Sequence, residues 1–246
     1  MAFYTGEADP EAELLEAART ALRNAAQPVT FSGAGLSAES GIPTFREAQT
    51  GLWAQYDPMT LASPGGFAAD PELVVGWYNE RRRHVAASQP NAAHRAMAGR
   101  PDMVHITQNV DDLLERAGAR DIVHLHGSLG QDKCSGGCGH RETVRMADPP
   151  PLHPCSRCGH WMRPEVVWFG EPLPRDEWLK AEEQAATADV FIVIGTSAQV
   201  HPAAGLITTA RTTGASVIVI NIESSYVPGI QLTGTAGDLV PELLQK

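Results

Sequence analysis

The sequence is poor in positive charge and has no long apolar segment. Its 246 residues include 19 lysines and arginines against 29 aspartates and glutamates, a formal net charge of -10. General affinity for nucleic acid requires a basic surface, so this balance argues against nucleic acid as a partner. An acidic surface instead attracts basic protein segments, such as those that carry lysine. No apolar run approaches the length of a membrane span, so we expect no membrane association.

Cysteine is also scarce, and the first residues lack the pattern of an export signal. The start, MAFYTGEADPEAELLEAA, contains no positively charged segment followed by an apolar core. We therefore expect a cytoplasmic protein. In that reducing compartment the 4 cysteines are better suited to bind a metal than to form disulfides.

The remaining composition, 43% hydrophobic and 20% charged residues, is ordinary for a globular protein. Short apolar, β-branched segments predict strands at residues 29–31, 103–107, 122–125, 190–195 and 216–222. Helical patterns predict helices at 10–26, 70–87, 91–98, 110–117, 176–186, 202–213 and 238–244. Because the strands are almost continuously apolar and alternate with helices, they predict a parallel sheet covered on both faces. The expected fold class is therefore α/β, an open doubly wound, Rossmann-like sheet with ligands at the carboxyl ends of its strands.

A glycine-rich stretch, SGAGLSAESGIPTFRE at residues 32–47, follows the first predicted strand. Gly33 and Gly35 would let the backbone approach a pyrophosphate and offer it N–H groups, although the pattern alone fits a tight strand–helix turn equally well. In a dehydrogenase a helix would follow the glycine-rich turn. Here Pro43 interrupts that helix, so we expect Phe45 and Arg46 to lie on a loop. The stretch therefore indicates a dinucleotide held for chemistry other than hydride transfer.

The four cysteines form two close pairs, Cys134 with Cys138 and Cys155 with Cys158. This spacing is typical of a zinc ribbon, in which four thiolates fill the tetrahedral site and leave the metal a structural role. Two disulfides or four free thiols are the alternatives. His140 and His160 are potential substitute ligands, because the first pair is one residue wider than usual. The surrounding residues 131–164 contain no long periodic segment, and such a stretch needs a bound metal or a covalent cross-link to fold.

Polar side chains follow the predicted strands where ligands are expected. Asn109 and Asp111 come at the start of a helix, where either could act only as its N-cap. His124 and His126 share one strand face, and His126 lies nearer the strand end, beside Gly127. A histidine in that position can act as a general base near neutral pH, although a single histidine is more often structural.

Taken together in this order, GAGLSAESGIPTFR, TQNVDDL, HLHGS, the cysteine pairs, RPEVVWFGE, GTS and VIVINIE resemble the sirtuin family of NAD-dependent protein lysine deacylases. The resemblance spans nearly the whole chain. It implies NAD contacts by Gly33, Ala34, Gly35, Glu39, Thr44, Phe45, Arg46, Gln108, Asn109, Asp111, Gly195, Thr196, Ser197, Asn221, Ile222, Glu223 and Ala236. It also implies that His126 is the general base, with Asn109 as a second catalytic residue, and that the cysteines bind one structural zinc ion.

The resemblance extends to the substrate. The peptide would pair as an added strand with a segment that includes Val167, Phe169, Gly170 and Glu171. Tyr78 and Arg81, three residues apart on one helix face, resemble the Tyr-x-x-Arg of the subgroup that removes succinyl and malonyl groups. Ala62 matches the small residue that leaves room for the longer acyl chain. The charge run at 81–83 alone would instead indicate a solvated face.

In the family's chemistry NAD is consumed. Nicotinamide leaves, the acyl oxygen captures the ribose carbon, and the general base accepts a proton from a ribose hydroxyl. The implied products are nicotinamide, free lysine and acyl-ADP-ribose, and Phe45 would shield the activated ribose. An NAD glycohydrolase or ADP-ribosyltransferase would share the same cofactor residues. A non-enzymatic zinc-ribbon binding module is the alternative from another class.

We expect three units in the chain. A Rossmann-like domain would comprise residues 1–50, 89–128 and 166–246. A helical insert at 51–88 would line the acyl-lysine site, and a zinc-ribbon module would occupy 129–165. Acyl-lysine-bearing proteins or peptides are the expected partners of a monomer.

Overall fold

The computed structural model describes residues 10–43 and 55–245. Its strands are β1 (Pro28–Ser32), β2 (Val104–Thr107), β3 (Ile122–His124), β4 (Gly127–Cys134), β5 (Arg141–Thr143), β6 (Met162–Val166), β7 (Val190–Ile194), β8 (Ser216–Asn221) and β9 (Ile230–Thr233). Its α-helices are α1 (Pro10–Arg23), α2 (Pro58–Leu61), α3 (Pro64–Ala69), α4 (Pro71–Ala87), α5 (Ala92–Ala98), α6 (Leu113–Ala117), α7 (Arg175–Thr187), α8 (Gly205–Thr212) and α9 (Ala236–Leu244). Within the described residues, none of these helices combines the length and the apolar character that crossing a bilayer requires.

The main sheet has six parallel strands in the order β3-β2-β1-β7-β8-β9. The chain runs outward from β1 through β2 to β3, then returns to the other side of β1 and continues outward through β7, β8 and β9. This reversal makes the boundary between β1 and β7 a topological switch point, where open α/β sheets bind ligands. The predicted doubly wound, Rossmann-like α/β fold is confirmed.

Helices cover both faces of this sheet. Strand β7 is buried along its whole length, and its side chains alternate between two cores. Ile192 and Ile194 pack in the core that includes residues of α1, α5, α6 and α9. Phe191 and Val193 pack in the core that includes residues of α7 and α8. Burial on both faces explains why β7 is apolar throughout.

A second sheet occupies the segment that lacked a periodic pattern. It is antiparallel, with three strands in the order β5-β4-β6. Sequence reasoning missed β4, because GSLGQDKC is mostly polar and its register shifts between Ser128 and Asp132. The edge strand β9 was also missed, since it has only four residues and one fully buried side chain, Leu232.

The run of three arginines on α4 is solvated only in part, since Arg83 is exposed but Arg81 is half-buried. Arg82 is fully buried, and its guanidinium lies 2.6 Å from the Asp132 carboxylate. It also donates to the carbonyl oxygens of Leu129 and Gln131 at 2.9 and 3.3 Å. A buried guanidinium is tolerated only when its charge and donors are matched in this way. The contact therefore fixes α4 against β4.

Two buried histidines make a prediction about acid stability. His105 on β2 lies opposite Thr30 on β1, whose Oγ1 is 2.9 Å from the ring Nδ1. His94 on α5 accepts from the backbone N–H of Asn91. Burial lowers the pKa of each histidine from 6.5 to about 4. Below pH 6.5 these histidines therefore bind protons in the unfolded chain but not in the folded chain. The free energy of unfolding consequently decreases as the pH is lowered from 6.5 toward 4.

We expect the free energy of unfolding in urea to be roughly 2–4 kcal/mol lower at about pH 5 than at about pH 6.5. Replacing His105 with glutamine keeps a polar group at this position and should reduce this difference in unfolding free energy between the two pH values by about half. An unfolding free energy that does not change over this interval would contradict the assignment.

Candidate active site

The carboxyl ends of the central strands border two cavities, which together form a crevice along this edge of the sheet. One cavity, of about 670 Å³, lies between the main sheet, α4 and the segment after β6. The other, of about 770 Å³, lies over the loops that follow β1, β7 and β8. His201 borders both cavities. A crevice at this edge is where a doubly wound sheet binds a dinucleotide.

The glycines after β1 bring two loops into contact. The N–H groups of Gly33 and Gly35 donate to the carbonyl oxygens of Ile194 and Gly195 at 2.9 and 2.8 Å. A Cβ on Gly35 would lie 2.6 Å from the Gly195 Cα, so no larger residue fits. The requirement for glycine was predicted, but its reason differs. These two N–H groups bind the loop after β7 and are not free for a pyrophosphate.

Asn109 and Asp111 connect the loop after β2 to the loop after β1. Asn109 Nδ2 donates to the Gly33 carbonyl oxygen and to Ser37 Oγ, both at 3.1 Å. Ser37 Oγ donates to Asp111 Oδ2 at 3.0 Å, while Asp111 Oδ1 accepts from the Leu113 N–H. Burial raises the pKa of Asp111, and these two hydrogen bonds oppose the rise. Asp112 is the N-cap of α6, but Asp111 accepts from the first N–H group of that helix and also joins the two loops, whereas the Asn109 side chain bonds only to the loop after β1.

Ser37 was not singled out from the sequence, although it lies within the glycine-rich stretch. Besides Asn109 and Asp111, its hydroxyl oxygen lies 3.5 Å from His94 Nε2. Its position as a small polar residue directly after the glycines is the sequence feature from which Ser37 could have been identified as a site residue.

The remaining predicted dinucleotide contacts lie mainly around the larger cavity. Gln108 Nε2 donates to Thr196 Oγ1 at 3.0 Å, and Asn221 Nδ2 donates to the Thr196 carbonyl oxygen at 2.9 Å. The lining of this cavity includes Gly35, Glu39, Gly195, Thr196, Ser197, Asn221, Ile222, Glu223 and Ala236. Ala34 borders the smaller cavity. Three further predicted contacts, Thr44, Phe45 and Arg46, lie outside the described residues.

His126 has the geometry of a neutral base. Its Nδ1 lies 3.0 Å from the carbonyl oxygen of Gln108. A carbonyl only accepts hydrogen bonds, so this contact assigns the proton to Nδ1 and leaves the lone pair on Nε2. Burial lowers the pKa of His126, and the bond to Gln108 opposes this only in part. The neutral ring borders the 670 Å³ cavity.

His124 differs from His126 in its protonation state. Its Nδ1 lies 3.1 Å from the Asn109 carbonyl oxygen and its Nε2 lies 2.6 Å from Glu115 Oε1. Burial alone would lower the pKa of His124, but the Glu115 carboxylate outweighs burial and the pKa rises. Two acceptors favour a ring that is protonated on both nitrogens. His124 thus supports the loop after β2, while His126 borders the cavity.

The three residues predicted to bind the acyl group line the same cavity as His126. Ala62 and Tyr78 are buried, and Arg81 is partly buried. The Arg81 guanidinium lies over the rings of Trp77 and Tyr78, at 4.9 and 5.6 Å from their centroids. Among the described residues no carboxylate forms an ion pair with Arg81. A cation in such a cavity can bind an anionic ligand.

The segment after β6 also borders this cavity. The Val167 N–H donates to the His126 carbonyl oxygen, and the Phe169 N–H donates to the Ala62 carbonyl oxygen, both at 2.9 Å. Gly170 has a φ of 84° and turns the chain. Both oxygens of Glu171 bind the Arg163 guanidinium, at 2.6 and 3.0 Å. Glu171 therefore holds the segment in place from within the protein.

The four cysteines converge in the small sheet. The Sγ atoms of Cys134 and Cys158 lie 3.3 Å apart, those of Cys138 and Cys155 lie 3.7 Å apart, and all four lie within 4.8 Å of one another. Tetrahedral zinc with bonds of about 2.3 Å separates its sulfur ligands by about 3.8 Å, so the site fits this ion. The thiols are free, which excludes the disulfide alternative. The wider first pair closes the site without a histidine.

Comparisons with known proteins agree with this geometry. Residues 33–202 match the model of the Sir2 family. A Methylococcus capsulatus protein named NAD-dependent protein deacylase is 48% identical over 241 residues, which cover 91% of this chain and 93% of that protein. A Pseudomonas aeruginosa protein named NAD-dependent protein deacylase 1 is 45% identical over 242 residues, which cover 92% and 96%.

Solved structures are similarly close. A variant of a Sir2 homologue in complex with ADP-ribose has a TM-score of 0.86 and 43% identity, with 93% of this chain and 94% of that chain covered. A Sir2 protein bound to a myristoylated histone peptide has a TM-score of 0.74 and 29% identity, with 95% of each chain covered.

Proposed function

The chain belongs to the Sir2 family, and we propose that it removes acyl groups from protein lysines with NAD as co-substrate. The observation that carries this proposal is the position of His126. A neutral imidazole with its Nδ1 proton assigned to Gln108 borders the cavity that Ala62, Tyr78 and Arg81 also line. A base is thereby available where an acyl-lysine would meet the cofactor crevice.

The cofactor would extend along the carboxyl edge of the main sheet. Its adenosine half fits the 770 Å³ cavity, which is bordered by Thr196, Asn221 and Glu223. Its nicotinamide ribose would lie beside Asn109 and Asp111, which border the smaller cavity. His126 would then accept a proton from a ribose hydroxyl, which makes that oxygen a nucleophile toward the bound acyl carbon.

The expected partners are acyl-lysine-bearing proteins or peptides, which would lie along the segment after β6. The net charge of -10 supports basic protein segments over nucleic acid. A cytoplasmic location and a monomeric state complete the proposal. The division into a Rossmann-like domain, a helical insert at 51–88 and a zinc module at 129–165 also stays a prediction.

The proposed function is tested by asking whether NAD consumption depends on the peptide. We expect nicotinamide release to require an acyl-lysine peptide and to match the amount of deacylated lysine formed. Nicotinamide released at the same rate without peptide would instead indicate an NAD glycohydrolase. ADP-ribose attached to protein, with the acyl group retained, would indicate a transferase.

We further propose that the enzyme prefers acyl groups that end in a carboxylate, such as succinyl and malonyl. The support is the Arg81 guanidinium, which is stacked on two aromatic rings in the cavity wall. Its planar fork matches a carboxylate better than an ammonium group does. Ala62 on the same wall leaves space for the longer acyl chain.

Replacing Arg81 with methionine should lower the ratio of kcat/KM for succinyl-lysine over acetyl-lysine peptides by about 10- to 100-fold, because a charge-assisted hydrogen bond is lost. The control is Arg83→Met, which removes an exposed arginine from the same helix. A ratio that changes equally in both variants would refute the role of Arg81.

A further inference from the structure

We propose that Trp168 is a positioning residue for acyl specificity, because its indole N–H fixes the direction in which the Tyr78 hydroxyl donates its hydrogen. This inference rests on the proposed function and adds a residue that does not itself bind the acyl carboxylate. Both side chains are almost completely buried, with 2% and 1% of their surface exposed.

The direction of the hydrogen bond between the two residues is unambiguous. Trp168 Nε1 lies 2.9 Å from Tyr78 Oη. An indole nitrogen can only donate, so the phenol oxygen is the acceptor. With one lone pair occupied by this contact, the phenolic hydrogen must point away from the indole.

Among the described residues, none accepts a hydrogen bond from the Tyr78 hydroxyl. The one hydrogen bond that Tyr78 Oη makes with them is the bond that it accepts from Trp168. Burial raises the pKa of the Tyr78 phenol, so the group keeps its proton at neutral pH. A buried donor without an acceptor is costly, and a ligand that supplies an acceptor relieves that cost.

Tyr78 and Arg81 thus present donors from one wall of the same cavity. A carboxylate offers acceptor positions to both, whereas an acetyl group ends in a methyl group that offers none. A phenol free to rotate would meet the carboxylate with its hydrogen only part of the time. The indole therefore preorganises the donor for an acyl chain that ends in a carboxylate.

Trp168 is itself held rigidly. The Arg163 guanidinium stacks on its ring, 3.2 Å from the centroid, and Arg163 is in turn bound by Glu171. The backbone N–H of Trp168 donates to the same Glu171 carboxylate at 3.0 Å. The ring of Phe67 packs with its centroid 5.4 Å from that of the indole. Contacts on several sides keep the indole N–H aimed at the phenol.

The test replaces Trp168 with phenylalanine, which keeps an aromatic ring but removes the N–H. We expect the ratio of kcat/KM for succinyl-lysine over acetyl-lysine peptides to fall roughly three- to tenfold, the loss of one neutral hydrogen bond. In a Tyr78→Phe background the same substitution should leave the ratio unchanged, because there is no hydroxyl left to orient. Trp161→Phe, at a half-exposed site directly before β6, is the control.

Three results would overturn the inference. The first is a Trp168→Phe variant that loses activity on both peptides in proportion, since a purely structural role predicts an unchanged ratio. The second is an equal fall of the ratio with and without the Tyr78 hydroxyl. The third is a wild type that cleaves acetyl-lysine but not succinyl-lysine, which would leave the deacylase proposal intact. A wild type that cleaves neither peptide would reject the proposed function itself.

Discussion

Replacing His126 with alanine is expected to lower the deacylation rate by about 10²- to 10⁴-fold, the contribution of a positioned general base. The structure supplies the reason, because the Nδ1 proton is assigned to the Gln108 carbonyl oxygen and Nε2 carries the lone pair. In the proposed mechanism the histidine acts after nicotinamide has left. Exchange of labelled nicotinamide into NAD should therefore fall less than deacylation does.

The pH profile gives a second readout of the same residue. Burial lowers the pKa of His126 from 6.5, so the neutral base persists into mildly acidic solution. Activity should fall only below pH 6.5, as the ring becomes protonated. His153→Asn, at a partly exposed site in the loop between β5 and β6, is the control. A His126→Ala variant with full activity, or an acidic limb well above pH 6.5, would contradict the assignment.

Replacing Cys155 with serine is expected to abolish zinc binding and unfold the small sheet. Structural zinc contributes on the order of 10 kcal/mol to the folding of small zinc domains. The buried cluster around the cysteines is no larger than two of them and Met162, so the outer end of the sheet has little other support. Strand β4 begins directly after His126, and Gly127 pairs with Val166, the residue that precedes the segment after β6. Activity should therefore be lost together with the metal.

Zinc content per chain and the thermal unfolding profile measure this effect. Ser135→Ala, an exposed neighbour of Cys134, should keep one zinc ion per chain. Prolonged treatment with a chelator should reproduce the loss of activity in the wild type. A Cys155→Ser variant that keeps zinc and full activity would show that the cluster does not hold the sheet together.

Much of the fold follows from local patterns. Strand β7 and the centre of β8 are buried on both faces, so VFIVI and the VIVI within SVIVIN are apolar throughout and could be found without a structure. The cysteine spacing predicts the four-sulfur cluster for a similar reason, since few arrangements place two close pairs around one metal. Strand β4 could not be found this way, because it is mostly polar and its register is irregular.

The parts of the site that escaped prediction depend on contacts distant in sequence. Arg82 lies in a run of three arginines that resembles a solvated face, and only the fold brings Asp132 to it. Gly33 and Gly35 signal a crowded backbone, but the sequence does not say that the crowding comes from Gly195 and Thr196. Trp168 is similar, because its partner Tyr78 lies 90 positions earlier in the chain.

The central claim is that this protein transfers an acyl group from lysine to ADP-ribose. Mass spectrometry of the nucleotide product, after incubation with NAD and an acetyl- or succinyl-lysine peptide, tests it most directly. We predict acyl-ADP-ribose, heavier than ADP-ribose by the acyl group of the peptide used, in an amount equal to the free lysine formed. Unmodified ADP-ribose as the first nucleotide product, with the peptide still acylated, would contradict the account.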